Sequence, residues 1–263
     1  MRVICIGAHP DDCEIEFGGT AAKLAARGDA VKFVSVTNGE AGHHQHPGPK
    51  LLERRKREAQ EAARRLGIAS EEVLENRDGQ LVPSIAARHE IIRLIRAWEA
   101  DAVITHRPWD YHPDHRYTGQ LVQDAAYLVM VPYVCPETPA LERNPVFFYL
   151  EDSFRLPVPF AADVAVNIDD AWEQKLDALD AHRSQVYEWL PWVGRETVPK
   201  DTAARRKWLD ATWSREPSAC TGAALARRYG PRDAAEIRHA EAFQICEYGR
   251  QPSAQELDEM FPR

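Results

Sequence analysis

Apolar and polar positions follow two rhythms over the first half of the chain. Short apolar runs stand at Val3 to Gly7, Val31 to Val36, Val73 to Leu74 and Ala102 to Thr105. Between them, at Gly19 to Ala26, Leu51 to Leu66 and Ser84 to Ala100, apolar residues recur every three or four positions. The runs predict strands and the recurring patterns predict amphipathic helices. Their alternation is the sign of βαβ units around a parallel sheet, and Val3 to Gly7 reads as a strand buried on both faces. The expected fold class is α/β, Rossmann-like, with three α/β/α layers and a mostly parallel sheet.

Beyond Ala126 the rhythm changes. Prolines crowd at 132, 136, 139, 145, 157 and 159, and the apolar runs Val146 to Leu150 and Val164 to Ile168 predict two further strands. A helix is expected over Asp169 to Tyr187 with Asp169 as its cap. Helix is expected around Ala203 to Tyr229, and a short strand near Phe243 to Cys246. No repeat or linker divides the chain, so residues 1–263 are expected to form one domain, with about residues 131–263 shaping the substrate pocket and oligomer contacts.

Composition narrows the picture by exclusion. A net charge of −8 over 263 residues argues against a sequence-independent nucleic-acid binder, which needs clustered cations. The arginines of 54–65 alternate with Glu53, Glu58 and Glu61 at pairing distance along a helix, which is the pattern of a solvated face. Five scattered cysteines without a CxxC pair suit reduced thiols and a cytoplasmic location. No stretch approaches the ~18 apolar residues of a membrane span, so no membrane partner is expected.

Candidate chemistry follows two predicted strands, where ligands bind in open α/β sheets. After the first comes Ala8-His9-Pro10-Asp11-Asp12-Cys13-Glu14, then Gly18-Gly19-Thr20; after the strand ending at Thr105 comes His106-Arg107-Pro108-Trp109-Asp110-Tyr111-His112-Pro113-Asp114-His115. The G-x-G-x-x-G of a dinucleotide site is absent. Pro113 suits the first turn of a helix that puts His112 and His115 on one face. A lone strand-end histidine or Asp-Asp pair is usually structural. Two His-Pro-Asp loops at two strand ends are not easily so explained. A catalytic zinc takes three N or O ligands and keeps one position for water, and His9, Asp12 and His115 supply that mixture. Asp11 remains to take a proton from the zinc-bound water, and His112 to stabilise an oxyanion or protonate a leaving amine.

In these segments, with Thr37-Asn38-Gly39-Glu40, the arginine helix ending Leu66-Gly67, Ala181-His182-Arg183-Ser184-Gln185 and Ala240-Glu241-Ala242-Phe243, the chain resembles the LmbE/PIG-L family of zinc-dependent N-acetylglucosaminyl deacetylases. The resemblance implies an LmbE-like fold and an enzyme that removes an N-acetyl group from an amino sugar or sugar conjugate. It implies that His9, Asp12 and His115 bind Zn2+, Fe2+ or another divalent ion, and that Asp11 is the general base. It makes His112 the acid or carbonyl polariser, with Asp114 as its orienting partner. It also implies a homo-oligomer, trimer or hexamer.

Helix geometry puts Arg55 alone among the arginines of its helix on the apolar stripe of Leu51, Leu52, Ala59, Ala62, Ala63 and Leu66. The family places a substrate-hydroxyl-binding arginine there. Competing readings are an amidase on a thiol-sugar conjugate, an Fe(II) facial-triad oxygenase, and a non-catalytic sugar-binding module. His43-His44-Gln45-His46 reads as an exposed loop. Tyr187-Glu188-Trp189-Leu190-Pro191-Trp192 is the segment most suited to stacking on a sugar or to a subunit interface.

Overall fold

The computed structural model describes residues 1–263. Seven strands, β1 (Arg2–Gly7), β2 (Ala30–Thr37), β3 (Ser70–Asn76), β4 (Ala102–Thr105), β5 (Val146–Leu150), β6 (Val164–Asn167) and β7 (Ala240–Ile245), form one sheet in the order β3-β2-β1-β4-β5-β7-β6. The first five pair in parallel; β7 runs antiparallel to β5 and β6. The helices α1 (Asp12–Arg27), α2 (Pro49–Leu66), α3 (Ile85–Ala97) and α4 (Pro113–Leu128) are the crossovers. The alternation of β1 divides the core in two. Val3 and Cys5 face a cluster with Phe17, Phe33 and Phe148, and Ile4 and Ile6 face one with Ile91, Ile95 and Leu121. The three-layer expectation is met.

The sheet order places the site. From β1 the chain steps outward to β2 on one side, and β4 lies on the other, so the crevice beyond the carboxyl ends of β1 and β4 is the topological switch point. Both His-Pro-Asp loops open into it.

Several expected elements differ in extent. Helix α1 begins at Asp12 rather than Gly19, because polar residues of the crevice occupy its first turn and hide the apolar period. The helix expected over Asp169 to Tyr187 is broken. A 3-10 turn at Asp169–Ala171 leads into α5 (Trp172–Ala181), His182 leaves helical geometry at ψ 54, and a π-helical turn spans Ser184–Trp189. Asp169 does not cap it; its carboxylate accepts from the backbone N–H groups of Arg238 and His239 at 3.1 and 2.9 Å. Helices α6 (Leu190–Gly194), α7 (Thr202–Thr212), α8 (Ala219–Tyr229), α9 (Pro231–Ala234) and α10 (Ala254–Met260) complete the chain. Strand β7 starts earlier than expected, since the buried Glu241 interrupts its apolar run. No helix is long and apolar enough to cross a membrane, and all five cysteines are free thiols.

Candidate active site

Three donor atoms converge where the two loops meet. Nδ1 of His9 lies 3.2 Å from Nε2 of His115, and each stands 3.5 Å from Oδ2 of Asp12. A tetrahedral ion with ligand bonds of about 2.0–2.1 Å separates its ligands by roughly 3.3–3.4 Å, so this nearly equilateral triangle fits three corners of such an ion.

The other ring nitrogens are occupied in the complementary sense. Asp110 Oδ2 lies 3.2 Å from His115 Nδ1, while His9 Nε2 lies between Asp78 Oδ1 at 3.2 Å and Asp114 Oδ2 at 3.3 Å. Carboxylates on the far nitrogens fix the tautomers that leave His9 Nδ1 and His115 Nε2 as donors. His106 stacks on His115 at 4.3 Å between centroids, with Nε2 3.1 Å from Asp12 Oδ2, and so buttresses two corners at once.

Charge agrees with geometry. Burial works against ionising His9, yet the carboxylates of Asp114, Asp12 and Asp78 overcome it and hold its pKa well above the usual value. Burial also opposes the charge on Asp12, but His115, His106 and His9 hold its carboxyl well below the usual range. The donors sit in an anionic setting that draws protons, or in their place a cation.

Asp11 sits at the turn into α1 with φ 138, a conformation that costs a non-glycine residue about 1–3 kcal/mol and clusters at functional sites. Its side chain makes no capping bond to the helix. Instead Oδ1 accepts from Arg55 Nη2 at 3.2 Å. Burial pushes the Asp11 carboxyl up to about 6, against the pull of Arg55. Arg55 points inward as its helix face predicted and is 2% exposed. It donates to the carbonyls of Pro10 at 2.8 Å and Gly39 at 3.2 Å. Its Nε is buried without a partner.

His112 is the N-cap of α4, and its Nδ1 accepts the Asp114 N–H at 3.2 Å. That bond leaves the ring proton of neutral His112 on Nε2. Burial, His9 and His115 all lower its pKa. The expected partnership of His112 with Asp114 therefore runs through the main chain. The Asp114 carboxylate instead accepts from Gly79 N–H at 2.7 Å and Leu81 N–H at 3.3 Å and reaches His9, because the helical turn carries it away from the His112 ring.

Asp78, His106 and Asp110 had no assigned role in the sequence. His106 and Asp110 lie inside the quoted strand-end run, where their rank after β4 was the available signal; Asp78 follows β3. Behind Asp11, His182 Nε2 and Glu14 Oε1 form a buried pair 3.0 Å apart; both stand in the segments that carry the family resemblance, without a role assigned to either. The whole opens into a cleft of about 1150 Å³, whose walls include Tyr111, Phe154, Trp189, Leu190, Val193 and Trp213.

Residues 4–126 match the family described as PIG-L, GlcNAc-PI de-N-acetylase. The diacetylchitobiose deacetylase of Thermococcus kodakarensis is 32% identical over 202 residues, covering 73% of each chain. A probable N-acetyl-alpha-D-glucosaminyl L-malate deacetylase 2 of Bacillus cereus is 30% identical over 79% of this chain and 94% of its own. Among solved structures, the N,N'-diacetylchitobiose deacetylase of Pyrococcus horikoshii superposes with a TM-score of 0.70 at 26% identity, covering 94% of this chain and 84% of that one. GalB, the 4-carboxy-2-hydroxymuconate hydratase of Pseudomonas putida, superposes with a TM-score of 0.72 over 96% of this chain and 99% of its own. At 20% identity it shares the fold.

Proposed function

This chain belongs to the PIG-L family of GlcNAc-PI de-N-acetylases, and from that premise we propose that it is a metal-dependent hydrolase removing the N-acetyl group from an N-acetylglucosamine-containing small molecule. The observation that carries the reading is the triangle of His9, Asp12 and His115 with a buried, non-ligating carboxylate, Asp11, adjacent to it in the chain. Residues 1–263 are proposed to act as one unit, since both halves line the cleft.

His9, Asp12 and His115 would hold the ion, with zinc the choice for two imidazoles and one carboxylate. When bound, it supplies Lewis acidity and lowers the pKa of water toward ~7. Asp11 accepts the proton of the attacking water at its carboxylate. Arg55 holds that carboxylate in place and, because it lines the cleft beside Asp11, is proposed as the residue that meets a substrate hydroxyl. His112 donates from Nε2 to the developing oxyanion and is one of two groups, with Asp11, able to return a proton to the leaving amine. The same donor set also suits Fe(II), but a base beside the site favours hydrolysis over oxygen chemistry.

The test is acetate release from a panel of N-acetylglucosamine derivatives by zinc-reconstituted protein. Asp11→Asn is expected to lower the rate by about 10²–10⁴ while metal content stays unchanged. Wild-type rates in Asp11→Asn would remove the base from the proposal, and no acetate from any derivative would remove the activity.

A further inference from the structure

The loop after β2 and the π-helical turn meet in a stack of rings at the lip of the cleft. His43 and His44 stack at 4.8 Å between centroids and 12°, His44 and Trp192 at 4.8 Å and 4°, and Trp189 and Trp192 at 5.3 Å and 19°. His44 and Trp189 are 6.5 Å apart. Rings on opposite faces of Trp192 would stand at least roughly 7 Å apart, twice the ~3.5 Å of atoms in contact. His44 and Trp189 therefore lie on the same side of Trp192, and its other face carries neither. Trp192 is 55% exposed.

The stack is braced. His43 Nδ1 accepts the N–H groups of Gln45 and His46 at 3.0 and 3.2 Å, so its Nε2 carries the proton and donates to Glu188 at 3.0 Å. Glu188 takes a two-pronged contact from Arg54 at 2.6 and 2.8 Å, and Gln185 Nε2 donates to the Gly42 carbonyl at 3.0 Å. A surface aromatic held this firmly offers a flat face that needs no ordering on binding. Trp192 and His44 themselves stand outside the cleft lining, but their neighbours Gly42, Trp189 and Val193 are part of it, so the stack borders the cleft. At about 1150 Å³ that cleft exceeds the ~300–1,000 Å³ of pockets for a drug-sized ligand.

We propose that Trp192, backed by His44 and Trp189, is a stacking platform for a pyranose ring attached to the N-acetylglucosamine whose amide is cleaved. The apolar C–H face of a pyranose matches the open indole face, and its equatorial hydroxyls remain in water at the rim. The inference rests on the deacetylase reading for the name of the first ring. It does not need turnover for its test.

The test titrates the zinc-loaded Asp11→Asn protein calorimetrically with N-acetylglucosamine and with its β-1,4-linked disaccharide, with and without Trp192→Ala. The disaccharide is expected to bind more tightly, and Trp192→Ala to weaken it about tenfold while leaving the monosaccharide unchanged. Trp192→Phe, which keeps a ring, is expected to retain most of the difference. Equal loss for both sugars, no loss for the disaccharide, or no binding of either sugar overturns the platform. So does a Trp192→Ala protein that changes its sedimentation but not its affinities, which assigns the face to a second copy of the chain. Failure of acetate release by the wild type, with the affinity pattern intact, would count against the deacetylase reading alone.

Discussion

Asp110 Oδ2 stands 3.2 Å from Nδ1 of His115, on the side of the ring away from the donor triangle. The contact selects the tautomer with a free Nε2 and fixes the ring plane, which stacking on His106 then supports. A metal ligand deprived of such a partner typically loses 10–100-fold in ion affinity. Asp110→Ala is therefore expected to weaken zinc binding by about that factor in a competition titration against a chromophoric chelator, with the fold intact by circular dichroism. Unchanged affinity would show that His106 alone holds the ring.

A second expectation concerns acid. Arg54 holds the Glu188 carboxyl below its ordinary 4.5, burial opposes, and His43 adds to the effect. A group with a depressed folded pKa contributes stability above its unfolded value and loses it as pH falls through the folded one. The clasp between the His43 loop and the π-helical turn is thus complete above about pH 4.5 and fades below it. Arg54 and Glu188 side chains are 31% and 38% exposed, so solvent limits the pair to about 1 kcal/mol or less. Glu188→Gln should lower the melting temperature at pH 7 by about 2 °C and flatten its fall between pH 5 and 3.5. Parallel melting curves against pH for the two proteins would count against this account.

How far the sequence revealed the site depends on where each residue stands relative to its strand. Strands β1 and β4 are buried on both faces, so their apolar runs are unbroken and His9, Asp12 and His115 fall visibly after them. Strand β3 is at the sheet edge, and Glu71, Glu72 and Glu75 interrupt its pattern until only Val73 and Leu74 read as strand. Asp78 was therefore hidden as a strand-end carboxylate. The break at His182 was hidden for a different reason. The apolar period continues through it, and only the buried contact with Glu14, distant in sequence, marks that His182 packs behind Asp11. Arg55 was legible because a cation on an apolar stripe is a local signal.

The ion pair of Lys175 and Glu241 ties helix α5 and strand β7 to the helix that carries Asp12. Lys175 Nζ lies 2.6 Å from Glu241 Oε1 and donates to the Ile15 carbonyl at 2.7 Å; the same carboxylate accepts the N–H groups of Gly19 and Thr20 at 3.0 and 2.7 Å. Both side chains are essentially inaccessible. Removing one partner leaves a buried charge uncompensated, at about 3–5 kcal/mol. Lys175→Met should lower the free energy of urea unfolding by that amount. In the double variant Lys175→Met, Glu241→Gln the loss should be clearly smaller than the sum of the single losses. Simple additivity would mean the two groups act separately.

The glycines around Arg55 allow the guanidinium's role to be separated from backbone strain. A Cβ on Gly39 would come within 2.6 Å of Arg55 Nη1, and Gly39 also has φ +67, where alanine is strained. A Cβ on Gly42 would come within 2.9 Å of the same nitrogen without a positive φ. Gly39→Ala should therefore cost stability from both causes, about 1–2 kcal/mol from the backbone alone, and Gly42→Ala noticeably less. Both, however, push the guanidinium off the Asp11 carboxylate, and a displacement near 1 Å in a catalytic arrangement costs on the order of 100-fold in rate. Similar losses of kcat/KM in the two variants, with zinc content unchanged and unequal unfolding energies, are the expected result. Should activity instead follow stability, with Gly42→Ala nearly wild type in both, Arg55 would be a structural prop of the loop and the positioning of Asp11 would have to come from elsewhere.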